Sequence, residues 1–157
     1  MDTERRIDEI YHQQLRQDAL YHRFAACHGL SDTAMWLLYT LWAEPDGCTQ
    51  QQLCRRCCFP KQTVGSAVTA LSRSGAVALH PVPGAHGGKR VMLTEAGRQL
   101  AERTAARLRQ AEIAAYGQLD DGTLAAYAAA TARISDLLEK EIGAACAEHE
   151  QEMGEKR

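Results

Sequence analysis

The stretch of sequence that decides the fold is CTQQQLCRRCCFPKQTVGSAVTALSRSGAVALHPVPGAHGGKRVMLT, residues 48–94. It contains six Lys or Arg residues and no Asp or Glu, although the whole chain has a formal net charge of -2. The other residues hold twelve basic and twenty acidic side chains, so +6 in this stretch stands against -8 elsewhere. Local positive charge in an acidic protein favours a surface that binds a polyanion, and six charges that only solvate a surface are the alternative.

Helical spacing dominates the first part of this stretch. Thr49 is a suitable N-cap for a short helix over residues 50–58. Pro60 ends that helix and suits the first turn of a second one over residues 61–74. The second helix has an apolar inward stripe and a polar outward side, as expected for a helix that packs on one face only.

The spacing then changes to that of strands. Residues 77–80 and 90–93 alternate in polarity, and the link between them is too rich in Gly and Pro for a helix. Two short helices followed by a hairpin with a glycine-rich tip predict a winged helix-turn-helix, in which the hairpin is the wing.

Further helices are predicted on both sides of this segment. Periodic apolar residues indicate a helix over residues 3–27, and Ser31 caps an almost wholly apolar second helix that ends at Pro45. Thr94 opens a long helix to about Tyr116, and a last helix follows. The predicted fold class is mainly α with a small β-hairpin wing. Its regions are a helical dimerisation region over 1–30 and 95–147, a DNA-binding region over 31–94, and a frayed tail over 148–157.

The second helix of a helix-turn-helix lies in the DNA major groove, which assigns roles to its outward residues. Gln62 would pair with adenine and the Thr63 methyl would contact a thymine methyl, while Lys61 and the first backbone amides favour a phosphate. Arginines outside the reading face would contact the DNA backbone, and cations at the hairpin base would approach a minor groove. The predicted DNA-binding set is Arg55, Arg56, Lys61, Gln62, Thr63, Ser66, Thr69, Arg73, His86, Lys89 and Arg90.

A family resemblance rests on these same residues. The pattern TQQQL-x5-F-PKQTV-x6-L-x3-G, then a hairpin, then LTEAGR at Leu93–Arg98, resembles the multiple-antibiotic-resistance-regulator (MarR) family across nearly the whole chain. The resemblance implies a homodimer, a recognition helix from Pro60 to Arg73, a wing tip at 83–89, and release from DNA by a small aromatic acid, an oxidant or a metal. The sequence lacks the family's Asp-x-Arg pair at Ala85 and Gly87.

The cysteines suggest three alternatives. Cys54, Cys57 and Cys58 would lie near one another on a helix, but a zinc site needs about four ligands and only Cys48 is an obvious local fourth. Cys54 and Cys57 fall on core positions and Cys58 on the family's turn glycine. Core packing is therefore favoured over redox sensing and over metal binding; Cys58 is the predicted redox candidate, and no metal or cofactor is expected.

A pocket for a small aromatic or phenolic effector is the second predicted site. By the resemblance it lies between the dimerisation helices and the DNA-binding region, although each aromatic residue also suits the core. Its predicted lining residues are His12, Cys27, His28, Trp36, Tyr39 and Trp42.

The sequence thus predicts a transcriptional regulator, a homodimeric repressor that an effector releases from a palindromic operator in double-stranded DNA. Two alternatives keep the same fold: a thiol-based redox sensor, and a protein-interaction module that has lost specific DNA binding, as the missing wing pair and the neutral Ser66 would suggest. No Ser-His-Asp set, phosphate loop or paired carboxylates indicate an enzyme. The sequence contains no apolar run that spans a membrane and its first residues resemble no secretory signal, so a cytoplasmic location is expected.

Overall fold

The computed structural model of the protein describes residues 2–82 and 88–155. The predicted wing tip, with His86, falls largely outside the described residues. In chain order the elements are α1 (Thr3–Cys27), α2 (Asp32–Trp42), β1 (Cys48–Thr49), α3 (Gln50–Cys57), α4 (Lys61–Arg73), β2 (Val77–Pro81), β3 (Lys89–Leu93), α5 (Glu95–Arg103), α6 (Ala105–Tyr116) and α7 (Asp121–Glu155). The mainly helical class with a small antiparallel sheet is confirmed.

Helix α2 is the centre of the first core. Its side chains Leu37 and Leu38 are fully buried, because α1, α3, α4, α5 and β3 all pack against this one helix. Burying a leucine side chain contributes about 1.5–3 kcal/mol. The cluster also takes Leu53 from α3, Val64 from α4 and Val91 from β3. Neither helix of the predicted helix-turn-helix could therefore hold its position without α2.

Local capping sets where the helices begin, as the sequence predicts. The Ser31 hydroxyl accepts a hydrogen bond from the Ala34 amide at 3.2 Å. At the start of α3, the Gln52 amide donates to the Thr49 hydroxyl at 3.2 Å, and the Thr49 amide donates to the Gln52 side chain at 2.8 Å. This reciprocal pair is a capping box, which satisfies two backbone donors at once.

The sheet has three strands rather than the two of the predicted hairpin. Its order is β1-β3-β2, with both pairs antiparallel. The added strand β1 pairs Cys48 with Val91 and Thr49 with Arg90. Two residues are too short for an alternating pattern to be visible in the sequence. Pairing with β3 ties the wing directly to the start of α3.

The long helix predicted from Thr94 to Tyr116 is broken at Thr104, which is a correction to the sequence prediction. Thr104 is buried and departs from helical backbone angles, with φ -121° and ψ -79°. Its hydroxyl donates to the Leu100 carbonyl at 2.8 Å, and its amide donates to the Ala101 carbonyl at 3.2 Å. A threonine that bonds back to the preceding turn competes with the helical ladder and bends the helix.

A second cluster lies around the helix break. It contains Ala25 from α1, Met35 from α2, Ala101 from α5 and Ala105 and Leu108 from α6. Aromatic side chains, including Tyr21 and Phe24 of α1, cover it. These contacts join α1 and α5 to the winged segment. Residues up to Ala111 accordingly form one compact unit, and residues from Glu112 onward form a second.

Helix α7 forms most of the second unit. Its start is capped by Asp120, whose carboxylate accepts from the Thr123 amide at 3.0 Å. The Thr123 hydroxyl also donates to this carboxylate. The hydrogen bond from the hydroxyl, and after it the one from the amide, lower the pKa of Asp120. The helix continues to Glu155, past the predicted boundary at residue 147, because the Glu, Gln and Met residues there are good helix formers. Within the described ranges, no helix combines the length and hydrophobicity of a membrane span.

Two helical glycines should respond oppositely to the same substitution. A Cβ at Gly97 would come 1.8 Å from the Ala76 carbonyl oxygen, whereas one at Gly65 would meet only the Gln50 side-chain oxygen, at 3.8 Å. We expect Gly97→Ala to lower the free energy of unfolding by about 1–3 kcal/mol and Gly65→Ala to raise it by about 1 kcal/mol. Urea unfolding of both variants would measure these changes. A change of the same sign in both variants would contradict the difference in space around Gly97 and Gly65.

Candidate nucleic-acid interface

Helix α4 presents a polar face to solvent because its opposite face is held in the core. Val64, Ala67, Val68 and Leu71 are buried at three- and four-residue steps. The outward side chains remain exposed or half-buried, as the sequence predicts. They are Lys61, Gln62, Thr63, Ser66, Thr69 and Arg73.

The turn before α4 requires an unusual backbone conformation. Cys58 follows α3 in the left-handed region, with φ 53° and ψ 33°, and its amide donates to the Cys54 carbonyl. A residue with a Cβ is disfavoured there by about 1–2 kcal/mol, which is why glycine is usual at such positions. Cys58 is exposed and Cys57 half-buried. The turn position predicted for Cys58 thus agrees with its geometry, and its redox role stays a prediction.

Two of the six cations in residues 48–94 bind groups of the protein itself. Arg56 forms an ion pair with Glu44, at the end of α2, and this hydrogen bond raises the pKa of the guanidinium. Arg90 donates from one Nη1 atom to the carbonyls of Asp46 and Gly47, both at 3.2 Å. Arg90 therefore ties β3 to the turn before β1, a role that the sequence prediction of a DNA contact missed.

The other four cations of residues 48–94 differ from Arg56 and Arg90 in their partners. Across residues 2–82 and 88–155, no carboxylate pairs with Arg55, Lys61, Arg73 or Lys89. All four are exposed. They are therefore available to an anion from outside, whereas the acids that flank the segment on either side, Glu44 and Glu95, pair with Arg56 and Arg98.

A cavity of about 360 Å³ lies between α2 and the end of α3. Trp36 and Tyr39 form part of its wall, with ring centroids 5.6 Å apart in an edge-to-face arrangement. The remaining lining residues are Thr40, Arg56, Cys57 and Phe59. Two residues of the predicted effector pocket therefore share a cavity, but their neighbours differ from those predicted.

The other four predicted effector residues lie elsewhere. His12 and Cys27 are exposed on α1. The His28 ring donates from Nδ1 to the Phe24 carbonyl at 2.9 Å, and the Trp42 indole donates to Glu102 at 2.9 Å. The sequence could not separate these sites, because adjacency in the chain does not report which side of a helix borders a cavity.

A second cavity, of about 390 Å³, borders the C-terminal half of α4. It is lined by Gln50, Val68, Thr69, Ser72, Arg73 and Leu79, from α3, α4 and β2. Thr69 and Arg73 are predicted DNA contacts, whereas no role is predicted from the sequence for Gln50, Ser72 or Leu79. The only sequence signal was Gly65, whose missing side chain leaves room beside Gln50.

The fold and this exposed polar helix define a winged helix-turn-helix protein, and comparisons with known proteins agree. The structure is similar to NMB1585, a MarR family regulator from Neisseria meningitidis, with a TM-score of 0.77 and 19% identity over 91% of this chain and 98% of that chain. It is similar to S. aureus MepR in a DNA complex, with a TM-score of 0.67 and 17% identity over 88% of this chain and 99% of that chain. It is also similar to the Streptomyces coelicolor regulator PcaV in complex with its natural ligand, with a TM-score of 0.63 and 20% identity over 80% of this chain and 90% of that chain.

Part of the sequence also matches a known family. A sequence model of the MarR family matches residues 28–86, from the end of α1 to the link between β2 and β3. No curated protein matches the chain. The matched segment is less than half of the chain, and the shared winged-helix fold extends over most of it, so the chain is similar to MarR family regulators in fold and in this segment of sequence.

The cysteine environments predict a loss of stability in alkali. Burial raises the pKa of the Cys48 thiol above its ordinary value of 9.0, and burial does the same for Cys57, whose Sγ lies 3.3 Å from the Thr40 hydroxyl. The folded state therefore retains thiol protons that the unfolded chain loses, so stability should fall as pH rises above that ordinary value.

Urea unfolding under reducing conditions, at about pH 7 and about pH 10, would measure this loss. Cys48→Val removes one raised thiol and should reduce the loss. Cys146→Ser changes an exposed thiol of α7 and serves as the control. Identical losses in wild type and Cys48→Val would contradict a contribution from Cys48.

Proposed function

We propose that the chain is a DNA-binding transcriptional regulator that acts as a homodimeric repressor and leaves a palindromic operator when a small-molecule effector binds. The observation that carries this proposal is the set of four exposed cations that have no carboxylate partner within residues 2–82 and 88–155, two of which, Lys61 and Arg73, lie on the polar side of α4. Phosphate contacts supply most of the affinity of such modules, and outward polar residues of the recognition helix supply base preference. A regulator of this kind acts on chromosomal DNA, so the cytoplasmic location belongs to the same proposal.

Exposed apolar surface supports the homodimer. In α1 the side chains Ile7, Tyr11 and Leu15 are at least half exposed, and in α7 so are Leu138 and Ile142. Rows of large apolar side chains on long helices are costly in water and are commonly buried by a second subunit. A twofold dimer would place two recognition helices about 34 Å apart, one turn of DNA, on a palindrome.

The cavity between α2 and α3 supports effector control. Its aromatic walls and few polar groups have the character of a small-molecule site, and its volume falls in the usual range of about 300–1,000 Å³. One of its walls is α3, the first helix of the DNA-binding pair. A ligand that prefers a different spacing of α2 and α3 would shift the population away from the DNA-binding conformation.

The leading test is a salt titration of binding to the DNA upstream of the protein's own gene. We expect wild-type affinity to fall steeply as salt rises, and Gln62→Ala to lose affinity for this DNA but not for a scrambled duplex. Gln51→Ala, on exposed α3 surface, is the matched control. Binding that ignores salt would overturn the proposed function, whereas equal losses on both duplexes for Gln62→Ala would remove only base reading by Gln62.

The dimer can be tested without DNA. Leu138→Glu places a carboxylate on the exposed apolar face of α7, where burial against a second subunit would desolvate it. We expect a monomer by light scattering after size-exclusion chromatography, together with weaker operator binding. Lys140→Glu introduces the same side chain at a position that is 78% exposed and should stay dimeric. A dimeric Leu138→Glu variant would exclude this part of α7 from the interface.

A further inference from the structure

The groove along the C-terminal half of α4 has a composition that its structural role does not explain. Its floor is apolar, formed by Val68 of α4 and Leu79 of β2. Leu79 remains 39% exposed although the strand has a buried neighbour, Val77. The rim is polar, with the Gln50 carboxamide, two hydroxyl groups and the Arg73 guanidinium. An apolar floor under a cationic rim fits a ligand that has both a hydrocarbon ring and an anion.

Arg73 is the charged member of this groove and is available to a ligand. It has no carboxylate partner in the described ranges, and the groove lining contains no acid. Because Arg73 lies in the last turn of α4, its charge also stabilises that helix end. An experiment on Arg73 must therefore separate helix stability from ligand binding.

Gln50 borders the groove where α3 approaches Gly65 of α4. The Gln50 side-chain oxygen lies 3.8 Å from the position that a Cβ of Gly65 would take, so the first residue of α3 reaches the face of α4. The Thr69 hydroxyl donates to the Gly65 carbonyl at 2.9 Å, which leaves its oxygen free to accept. Donors from Gln50 and Arg73 thus flank the same apolar floor.

We propose that this groove seats one sugar–phosphate unit of the DNA backbone beside the recognition helix, with the deoxyribose over Leu79 and Val68 and the phosphodiester bound by Arg73 and Gln50. The inference rests on the proposed function and assigns DNA contacts to Gln50 and Leu79. Arginine and amide donors are the usual partners of backbone phosphates, and such contacts fix the register of the protein on the duplex. A free nucleotide has the same chemistry and is distinguished below.

The test uses full-length protein and the best duplex that it selects from a random pool. Single phosphates are replaced in turn by neutral methylphosphonates. For wild type, neutralising the seated phosphate should weaken binding about tenfold, since a hydrogen bond to a charged group is lost. In Arg73→Met the effect at that position should shrink to the smaller part that Gln50 contributes, and the salt slope should fall by about 0.9. Gln50→Ala should reduce the effect at the same position.

Matched controls isolate the groove. Gln51→Ala on α3 and Arg103→Met on α5 change the same residue types on exposed surface outside the groove, and both should retain the wild-type effect at the seated phosphate. Urea unfolding of each variant measures any loss of helix stability. A destabilised helix would weaken binding to every duplex alike, whereas loss of the groove contact should change only the effect of the methylphosphonate at the seated phosphate.

The outcomes separate the two proposals. If wild type binds no duplex in a salt-dependent manner, the proposed function and the groove assignment both fail. If wild type binds but Arg73→Met retains the methylphosphonate effect at every position, the groove assignment alone is overturned. A third outcome is that thymidine 5′-monophosphate stabilises wild type but not Arg73→Met, while no single methylphosphonate weakens DNA binding in an Arg73-dependent manner. This result would assign the groove to a free nucleotide and would also overturn the groove assignment to DNA.

Discussion

Burial of α2 on nearly every side is the constraint on which the other elements depend. The fully buried Leu37 and Leu38 bring α3 and α4 to one part of the helix and α1 and α5 to another. Both hydrophobic clusters contain α2 residues, so a shift of this helix would move α4 together with α1, α5 and the start of α6. A mechanical link of this kind is what the proposed effector response requires, because interdigitated cores adopt discrete arrangements.

The electrostatic design separates structural cations from available ones. Arg56 joins α3 to the segment after α2 through Glu44, and Arg90 joins β3 to the turn before β1 through the carbonyls of Asp46 and Gly47. An absence of acids in residues 48–94 does not by itself leave every cation free, since Glu44 lies just outside the segment. Two of the available charges, Lys61 and Arg73, lie at the two ends of α4, and the other two, Arg55 and Lys89, lie on α3 and β3.

Much of the local structure could be predicted because it depends on neighbours in the chain. The Ser31 and Thr49 caps, the helix-turn-helix and the turn at Cys58 all follow from residues within one or two turns of each other. The strand β1 and the break at Thr104 could not, since two residues show no period and a buried threonine resembles an ordinary helix residue in sequence. The cavities could be predicted least, because Gln50 and Leu79 meet only after folding.

The sequence by itself determined the order of helices and wing and the polar face of α4, because apolar spacing and capping residues act locally. Tertiary structure alone decided which cations remain available, which aromatic residues share a cavity, and that a groove opens between α3, α4 and β2. The physical reason is that these properties depend on distances between residues far apart in the chain. Packing around α2 sets those distances, and no periodicity in the sequence records them.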